Sequence, residues 1–158
     1  MKFSVLILTI GIPGSGKTTW VESYQKKYPM SIVVSTDQIR MDLFGSTQCD
    51  PKQSDEVHEE ARRRVKKILD DPSFYGSNYP LGPTIVVDST NCDVQEWLKY
   101  KSLGAAVMLA KVFDIPPPEA MKRQESRDRF VPRFVLEDKW ESYQKSKEYI
   151  PYLFNMVL

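Results

Sequence analysis

Nine consecutive residues, Gly11-Ile12-Pro13-Gly14-Ser15-Gly16-Lys17-Thr18-Thr19, have the types and spacing needed to hold a polyphosphate. They follow the pattern Gly-x4-Gly-Lys-Ser/Thr, in which glycines let backbone amides approach phosphate oxygens. Lys17 would bring a point charge to the outer phosphates from the mouth of the site. Thr18 would offer a hydroxyl to Mg²⁺. Gly14, Ser15, Gly16 and Thr19 complete the phosphate cradle.

Such a loop works only between a strand and a helix. The apolar run Val5 to Ile10 reads as a buried strand entering it. Thr19 to Lys26 reads as the helix leaving it, whose positive N-terminal end adds to the anion site. Lys2 with Phe3 to Ile12 mimics a short secretory signal, but its course straight into the loop favours a sheet strand. Three further runs, Ser31–Ser35, Thr84–Val87 and Ala106–Phe113, look like parallel strands buried on both faces. Helical stretches alternate with them. Val57, Ala61, Val65 and Ile68 mark the apolar face of one, and Arg62-Arg63-Arg64 falls on its solvated side. Residues 70–83 read as a loop broken by Pro72, Gly76, Pro80, Gly82 and Pro83. A last helix should start near Pro132 and carry Trp140 and Tyr143. This alternation predicts a three-layer α/β fold with a parallel sheet, as one domain over 1–158.

In a parallel sheet, ligands sit beyond the carboxyl ends of the strands. Asp37 and Arg40 follow the second run, three residues apart and so on one face of a helical turn. The carboxylate could accept a hydroxyl proton while the guanidinium grips an anion. A helix cap at Thr36 or Asp37 with a surface ion pair explains the same residues equally well. Asp88 closes the third run, followed by Ser89-Thr90-Asn91, which is where an acid would stand beside Thr18 and a metal ion. The competing reading is a helix cap, since Asp93 and Glu96 follow. Beyond Pro116-Pro117-Pro118 lies a basic stretch, Lys122, Arg123, Arg127, Arg129 and Arg133. Arg123 and Arg127, four apart, would point the same way from a helix and meet charge developing on a transferred phosphoryl group.

Composition narrows the field. With 22 Lys plus Arg against 21 Asp plus Glu, the net charge of +1 makes any basic surface a local one. A single histidine, His58, argues against a His-based metal site or a Ser-His-Asp triad. Cys49 and Cys92 are isolated thiols, not a disulfide framework, and point to an intracellular, cytoplasmic chain. No run reaches membrane-spanning length, so no membrane partner is expected. The stretch Tyr149 to Phe154 is apolar enough for a contact between copies in a homo-oligomer, or for docked core.

Taken in order, these residues resemble the kinase domain of the phage polynucleotide 5′-kinase family, nearly end to end. The likeness is carried by Leu8-Thr9-Ile10-Gly11 with Pro13 to Lys17 and Trp20, by Asp37 with Arg40, and by Asp88 with Thr90-Asn91. It continues through Lys111-Val112-Phe113-Asp114, Lys122-Arg123, Arg127 and Val131-Pro132. The resemblance implies a P-loop kinase fold with a basic helical lid over about residues 119–133. It implies ATP and Mg²⁺ as cofactors and a DNA or RNA 5′-hydroxyl end as partner. Transfer of the γ-phosphate would serve nucleic-acid repair, in the host cytoplasm if the chain is phage-encoded.

The resemblance gives each match a role. Lys17 and Thr18 would hold ATP and the metal, Asp37 would be the general base, and Arg40 would bind the phosphate next to the 5′ nucleoside or the transferring group. Asp88, with Thr90, would support the substrate, and Arg123 and Arg127 would reach the ATP phosphates. Thr18 replaces the family's serine and keeps the hydroxyl. The spacing from Arg127 to Val131-Pro132 is one residue shorter than in the family, so Arg129 and Arg133 take no role. The phage enzyme's 3′-phosphatase motif, Asp-x-Asp-Gly, has no counterpart, and no 3′-end processing is expected.

Two other classes fit parts of the pattern. A P-loop kinase of a nucleoside, sugar or antibiotic would share the fold, because the acceptor is set by loops. A GTP-dependent switch is favoured only by Asp42-Leu43-Phe44-Gly45. That motif follows no apolar strand, and no Asn-Lys-x-Asp accompanies it.

Overall fold

A computed structural model describes residues 3–127 and 130–158. Its sheet grows from the strand that enters the phosphate loop. β1, Val5–Ile10, is buried along nearly its whole length because it has strands on both edges and helices on both faces. β3, Thr84–Asp88, lies parallel to it on one side, with Leu6 opposite Ile85 and Leu8 opposite Val87. β4, Val107–Val112, lies parallel on the other, with Leu6 opposite Met108 and Ile10 opposite Val112. β2, Ile32–Ser35, pairs with the outer edge of β3 and brings Ser35 opposite Asp88. The short β5, Met156–Val157, pairs with β4. The order β2-β3-β1-β4-β5 thus sets the first and third runs side by side, and all four pairings are parallel.

Parallel neighbours need crossovers, and these are the helices. α1, Lys17–Lys27, covers one face: Val21 packs with Ile7 and Val86, flanked by Trp20 and Tyr24. The alternate residues Leu6, Leu8, Ile10, Ile85 and Val87 face the larger core on the other side. That core takes Ile39 from α2 (Thr36–Phe44) and Val57, Ala61, Val65 and Leu69 from α3 (Ser54–Asp70). It also takes Trp97 and Tyr100 from α4 (Val94–Lys101), and Leu136 and Tyr143 from α6 (Arg133–Ser146). α5, Pro117–Gln124, adds Ala120. The result is the expected three-layer α/β arrangement.

Several expectations shift in detail. The buried face of α3 ends on Leu69, and Ile68 is only partly covered, because the spacing of four from Val65 keeps Leu69 in line with the core. Arg62-Arg63-Arg64 is not merely solvated: Arg64 reaches Asp42 of α2 at 3.0 Å and Arg62 reaches Glu96 of α4 at 2.7 Å. α5 stops at Gln124, so Arg127 lies beyond the helix and does not share a helical face with Arg123. The loop before β3 is pinned at Gly82, whose φ of +77° suits glycine and where an added Cβ would lie 1.7 Å from the Phe3 carbonyl oxygen. Near the C-terminus α7, Ile150–Leu153, lies between two buried anchors. Ile150 is in the core and Phe154 meets Trp97 edge-on at 5.4 Å, while Tyr152 is 81% exposed. Lys2, part of the signal-like start, and Arg129 fall outside the described residues.

Candidate active site

The phosphate loop turns where it does because Gly14 and Gly16 have φ of +82° and +98°, values that disfavour side chains. Gly11 is needed for space: a Cβ there would lie 2.5 Å from Ser15 Oγ and 2.9 Å from Phe113 Cβ. The loop is tied to its neighbours by Gly11 N–H donating to the Thr90 carbonyl at 2.9 Å.

Lys17 departs from expectation. It is only 8% exposed, with Nζ donating to the Ile12 carbonyl at 2.8 Å and to Ser15 Oγ at 3.5 Å. The side chain curls back into the loop, where one backbone carbonyl and one hydroxyl accept from its ammonium. Burial lowers its pKa to about 8, against the opposing pull of Asp88 and Asp37.

Next to it, Thr18 Oγ1 donates to Asp88 Oδ2 at 3.1 Å. Asp88 ends β3 and does not cap α4; that cap is Asp93, whose Oδ1 accepts from Gln95 N–H at 2.8 Å. Burial raises the Asp88 pKa above the usual carboxylate value, while the Thr18 hydrogen bond and the Lys17 charge act the other way. The hydroxyl and carboxylate are two adjacent oxygen donors. That set fits Mg²⁺, which keeps several waters and takes further oxygens from phosphates. Among the described residues no group of three His, Cys, Asp or Glu forms an all-protein metal cage.

Asp37 and Arg40 sit on the first turns of α2, where Ser35, not Thr36 or Asp37, is the cap: its Oγ accepts from Gln38 N–H at 3.3 Å. Arg40 Nη1 donates to Asp37 Oδ1 at 3.0 Å. The arginine side chain is 11% exposed and the aspartate 46%, so the pair lies at a rim and not on open surface.

A cleft of about 430 Å³ gathers Gly14, Lys17, Thr18, Asp37, Arg40, Asp88, Thr90 and Arg127 along its wall. Ser15, Gly16, Thr19 and Arg123 are not part of that wall. Arg123 instead grips the loop from outside, with Nη1 donating to the Ser15 carbonyl at 3.3 Å and Nη2 to Glu119 at 2.9 Å. Arg133 pairs with Glu137 on α6 at 2.8 Å.

The cleft also contains residues that the sequence did not single out for it, among them His58 of α3, Val135 and Lys139 of α6, and Gln124. Gln124 Nε2 donates to the Val131 carbonyl at 2.8 Å and its Oε1 accepts from Val131 N–H at 3.2 Å. No local signal marks these residues. Their place depends on how α3, α5 and α6 pack across the strand ends.

A P-loop, an acid on the neighbouring strand and a parallel sheet of this order define a P-loop kinase-like nucleotide-binding domain. The chain belongs to the AAA domain family, which matches residues 6–148. Human NEDD4-binding protein 2 is 31% identical over 100 residues, which are 63% of this chain and 5% of that protein. Human heterogeneous nuclear ribonucleoprotein U-like protein 2 is 30% identical over 125 residues, 75% of this chain and 16% of that protein. The chain therefore spans a small part of either relative.

Among solved structures, a chain of a Pnkp1/Rnl/Hen1 complex aligns with a TM-score of 0.61 at 22% identity, covering 82% of this chain and 44% of that one. A gluconokinase from Sinorhizobium meliloti 1021 aligns with a TM-score of 0.57 at 15% identity, covering 90% and 76%. A deoxyadenosine kinase from M. mycoides, with dCMP and dCDP bound, aligns with a TM-score of 0.57 at 14% identity, covering 97% and 88%. These likenesses establish the fold. Among the described residues no helix is long and apolar enough to cross a membrane.

Proposed function

We propose that the chain is a polynucleotide 5′-hydroxyl kinase, an ATP-dependent phosphotransferase acting on DNA or RNA ends in nucleic-acid repair. The observation that carries this is the Asp37–Arg40 pair, 3.0 Å apart, on the wall of the same cleft as Lys17, Thr18 and Asp88. A base for a hydroxyl and a cation for an adjacent phosphate suit an acceptor that carries both. The resemblance to polynucleotide 5′-kinases supports the same acceptor.

The phosphate loop and Lys17 hold the ATP phosphates, with Arg127 on the cleft side and Arg123 bracing the loop. Mg²⁺, when bound at Thr18 and Asp88, neutralises phosphate charge. Arg40 holds the phosphate beside the 5′ nucleoside, and Thr90 lines the acceptor side. The 5′ oxygen forms a bond to the γ-phosphorus as the bond to the β–γ bridging oxygen breaks. ADP leaves with that electron pair, and the hydroxyl proton passes to the Asp37 carboxylate.

The near whole-chain fold likeness to deoxyadenosine kinase and gluconokinase favours a second reading, a small-molecule kinase. One assay separates the two: labelled ATP with a 5′-hydroxyl oligonucleotide, or with a panel of nucleosides and sugars. Transfer to the oligonucleotide with far lower efficiency on bare nucleosides supports the proposal. Transfer only to a small molecule overturns it.

A further inference from the structure

Away from the phosphate loop, the second half of α3 and the end of α4 enclose an open groove of about 660 Å³. Its wall carries five cations, Arg62, Arg63, Lys66, Lys67 and Lys99, against one acid, Asp70. Some of this charge is paired. Arg62 and Lys99 share the single carboxylate of Glu96 at 2.7 and 3.1 Å, Arg63 meets Glu60 at 2.7 Å, and Lys66 meets Asp70 at 3.0 Å. Arg63 and Arg64 are matched by Glu60 and Asp42. Positive charge nevertheless remains in excess because Glu96 serves two cations and Lys67, whose charge is felt by Asp71, forms no ion pair among the described residues. In a chain with net charge +1 this is a local concentration.

The groove lies along the same helix as the cleft. Ser54 and His58, at the start of α3, lie on the cleft wall. His58 is shared with a neighbouring cavity of about 340 Å³, whose wall includes Glu96, the partner of Arg62. Cleft, middle cavity and groove thus follow one another along α3. From His58 to Lys66 is about 12 Å of helix axis. The groove has no aromatic residue in its wall, so it offers charge to a backbone and no platform for bases.

We infer that this groove is a secondary nucleic-acid site, holding backbone phosphates of the acceptor strand downstream of the end engaged in the cleft. The inference rests on the polynucleotide reading. It assigns to α3 and α4 a contribution to affinity that is independent of sequence, sensitive to salt and felt only by acceptors long enough to reach the groove.

The test compares wild type with the triple variant Lys66→Gln, Lys67→Gln, Lys99→Gln. Glutamine keeps helix propensity, and none of the three lines the cleft. Binding of a 5′-hydroxyl oligonucleotide of about twelve nucleotides, within the usual span of single-strand sites, is followed by fluorescence anisotropy across a salt series. Transfer to that oligonucleotide and to a nucleoside 3′-phosphate is measured alongside.

We expect the variant to bind the oligonucleotide roughly tenfold or more weakly at low salt, with a log–log salt slope shallower by about 2. Its kcat and KM for the nucleoside 3′-phosphate should match wild type. Equal oligonucleotide affinity and salt slope in the two proteins would overturn the groove while leaving the kinase reading intact. Wild-type binding that the variant loses, without transfer to any 5′-hydroxyl, would uphold the groove and overturn the kinase reading. Wild type that neither binds nor phosphorylates the oligonucleotide would overturn both.

Discussion

Thr18 Oγ1 and Asp88 Oδ2 stand 3.1 Å apart, joining the first turn of α1 to the last residue of β3. The contact exists because β1 and β3 are parallel neighbours in register, so both strands end at the same level and deliver loop and carboxylate together. A hydroxyl that donates to this carboxylate turns its own lone pairs outward, toward the place where a metal ion and phosphates would sit.

Asp88 is held at a cost. Burial raises its pKa in the folded chain, so between the ordinary carboxylate value and the raised one the native state binds more protons than the unfolded state. Stability from this group therefore falls as pH rises through that window, and the ionised form is penalised at pH 7. Asp88→Asn should raise Tm at pH 7, with the gain vanishing in acid, and should sharply lower phosphoryl transfer. Thermal melts of both proteins at several pH values check this. A lower Tm at pH 7 would mean that the carboxylate is a net stabiliser.

Lys17 works with the same logic and the opposite charge. Its folded pKa of about 8 lies below the ordinary 10.5, so across that window the unfolded state binds more protons and stability rises with pH. The effect is on the order of 3 kcal/mol over the window, at about 1.36 kcal/mol per unit. Lys17→Met should flatten this rise in denaturant titrations and abolish transfer while leaving the chain folded. A nucleotide that brings phosphates to Lys17 restores its charge. ATP binding near pH 8 to 9 should therefore take up protons, seen as buffer-dependent heats in calorimetry.

Asp37→Asn keeps the size of the side chain and a partner for Arg40 but cannot take a proton. It should cut kcat by roughly 10²–10⁴ with little change in oligonucleotide affinity. Arg40→Ala should raise the KM of acceptors that carry a phosphate beside the 5′ nucleoside far more than that of a bare nucleoside. Equal use of nucleoside and nucleoside 3′-phosphate by wild type would remove the reason for assigning Arg40 to that phosphate.

Arg127 lines the cleft with Lys17, and its charge acts to lower the Lys17 pKa. Arginines that meet the transferring group are worth up to about 10³–10⁵ in rate. Arg127→Ala should lower kcat much more than it raises the KM for ATP. A change confined to KM would reassign it to ground-state binding.

The parts of this structure visible in the sequence are those specified by local chemistry. The loop could be read because glycine φ values and the Lys-Thr pair are written in consecutive residues. β1, β3 and β4 could be read because strands covered on both faces are continuous apolar runs. β5 could not: two residues at a sheet edge leave no periodic signal, and only pairing with Leu109 and Ala110 defines the strand. The end of α5 was hidden because nothing from Arg123 to Arg127 breaks a helix by type. Asp37 and Asp88 were ambiguous with helix caps until the structure gave those tasks to Ser35 and Asp93. His58 and Lys139 reach the cleft only through tertiary packing of α3 and α6.

The double hydrogen bond between Gln124 and Val131 makes the stretch carrying Arg127 a closed hoop with both feet fastened. Bringing Gln124 and Val131 together meets part of the loop-closure entropy at folding, before Arg127 engages phosphate. Loop length then becomes a dial that can be turned gently. Doubling the hoop should cost only about 0.6 kcal/mol in closure. Gln124→Ala, which unfastens the feet, should slow the approach of Arg127 without touching the chemistry it performs.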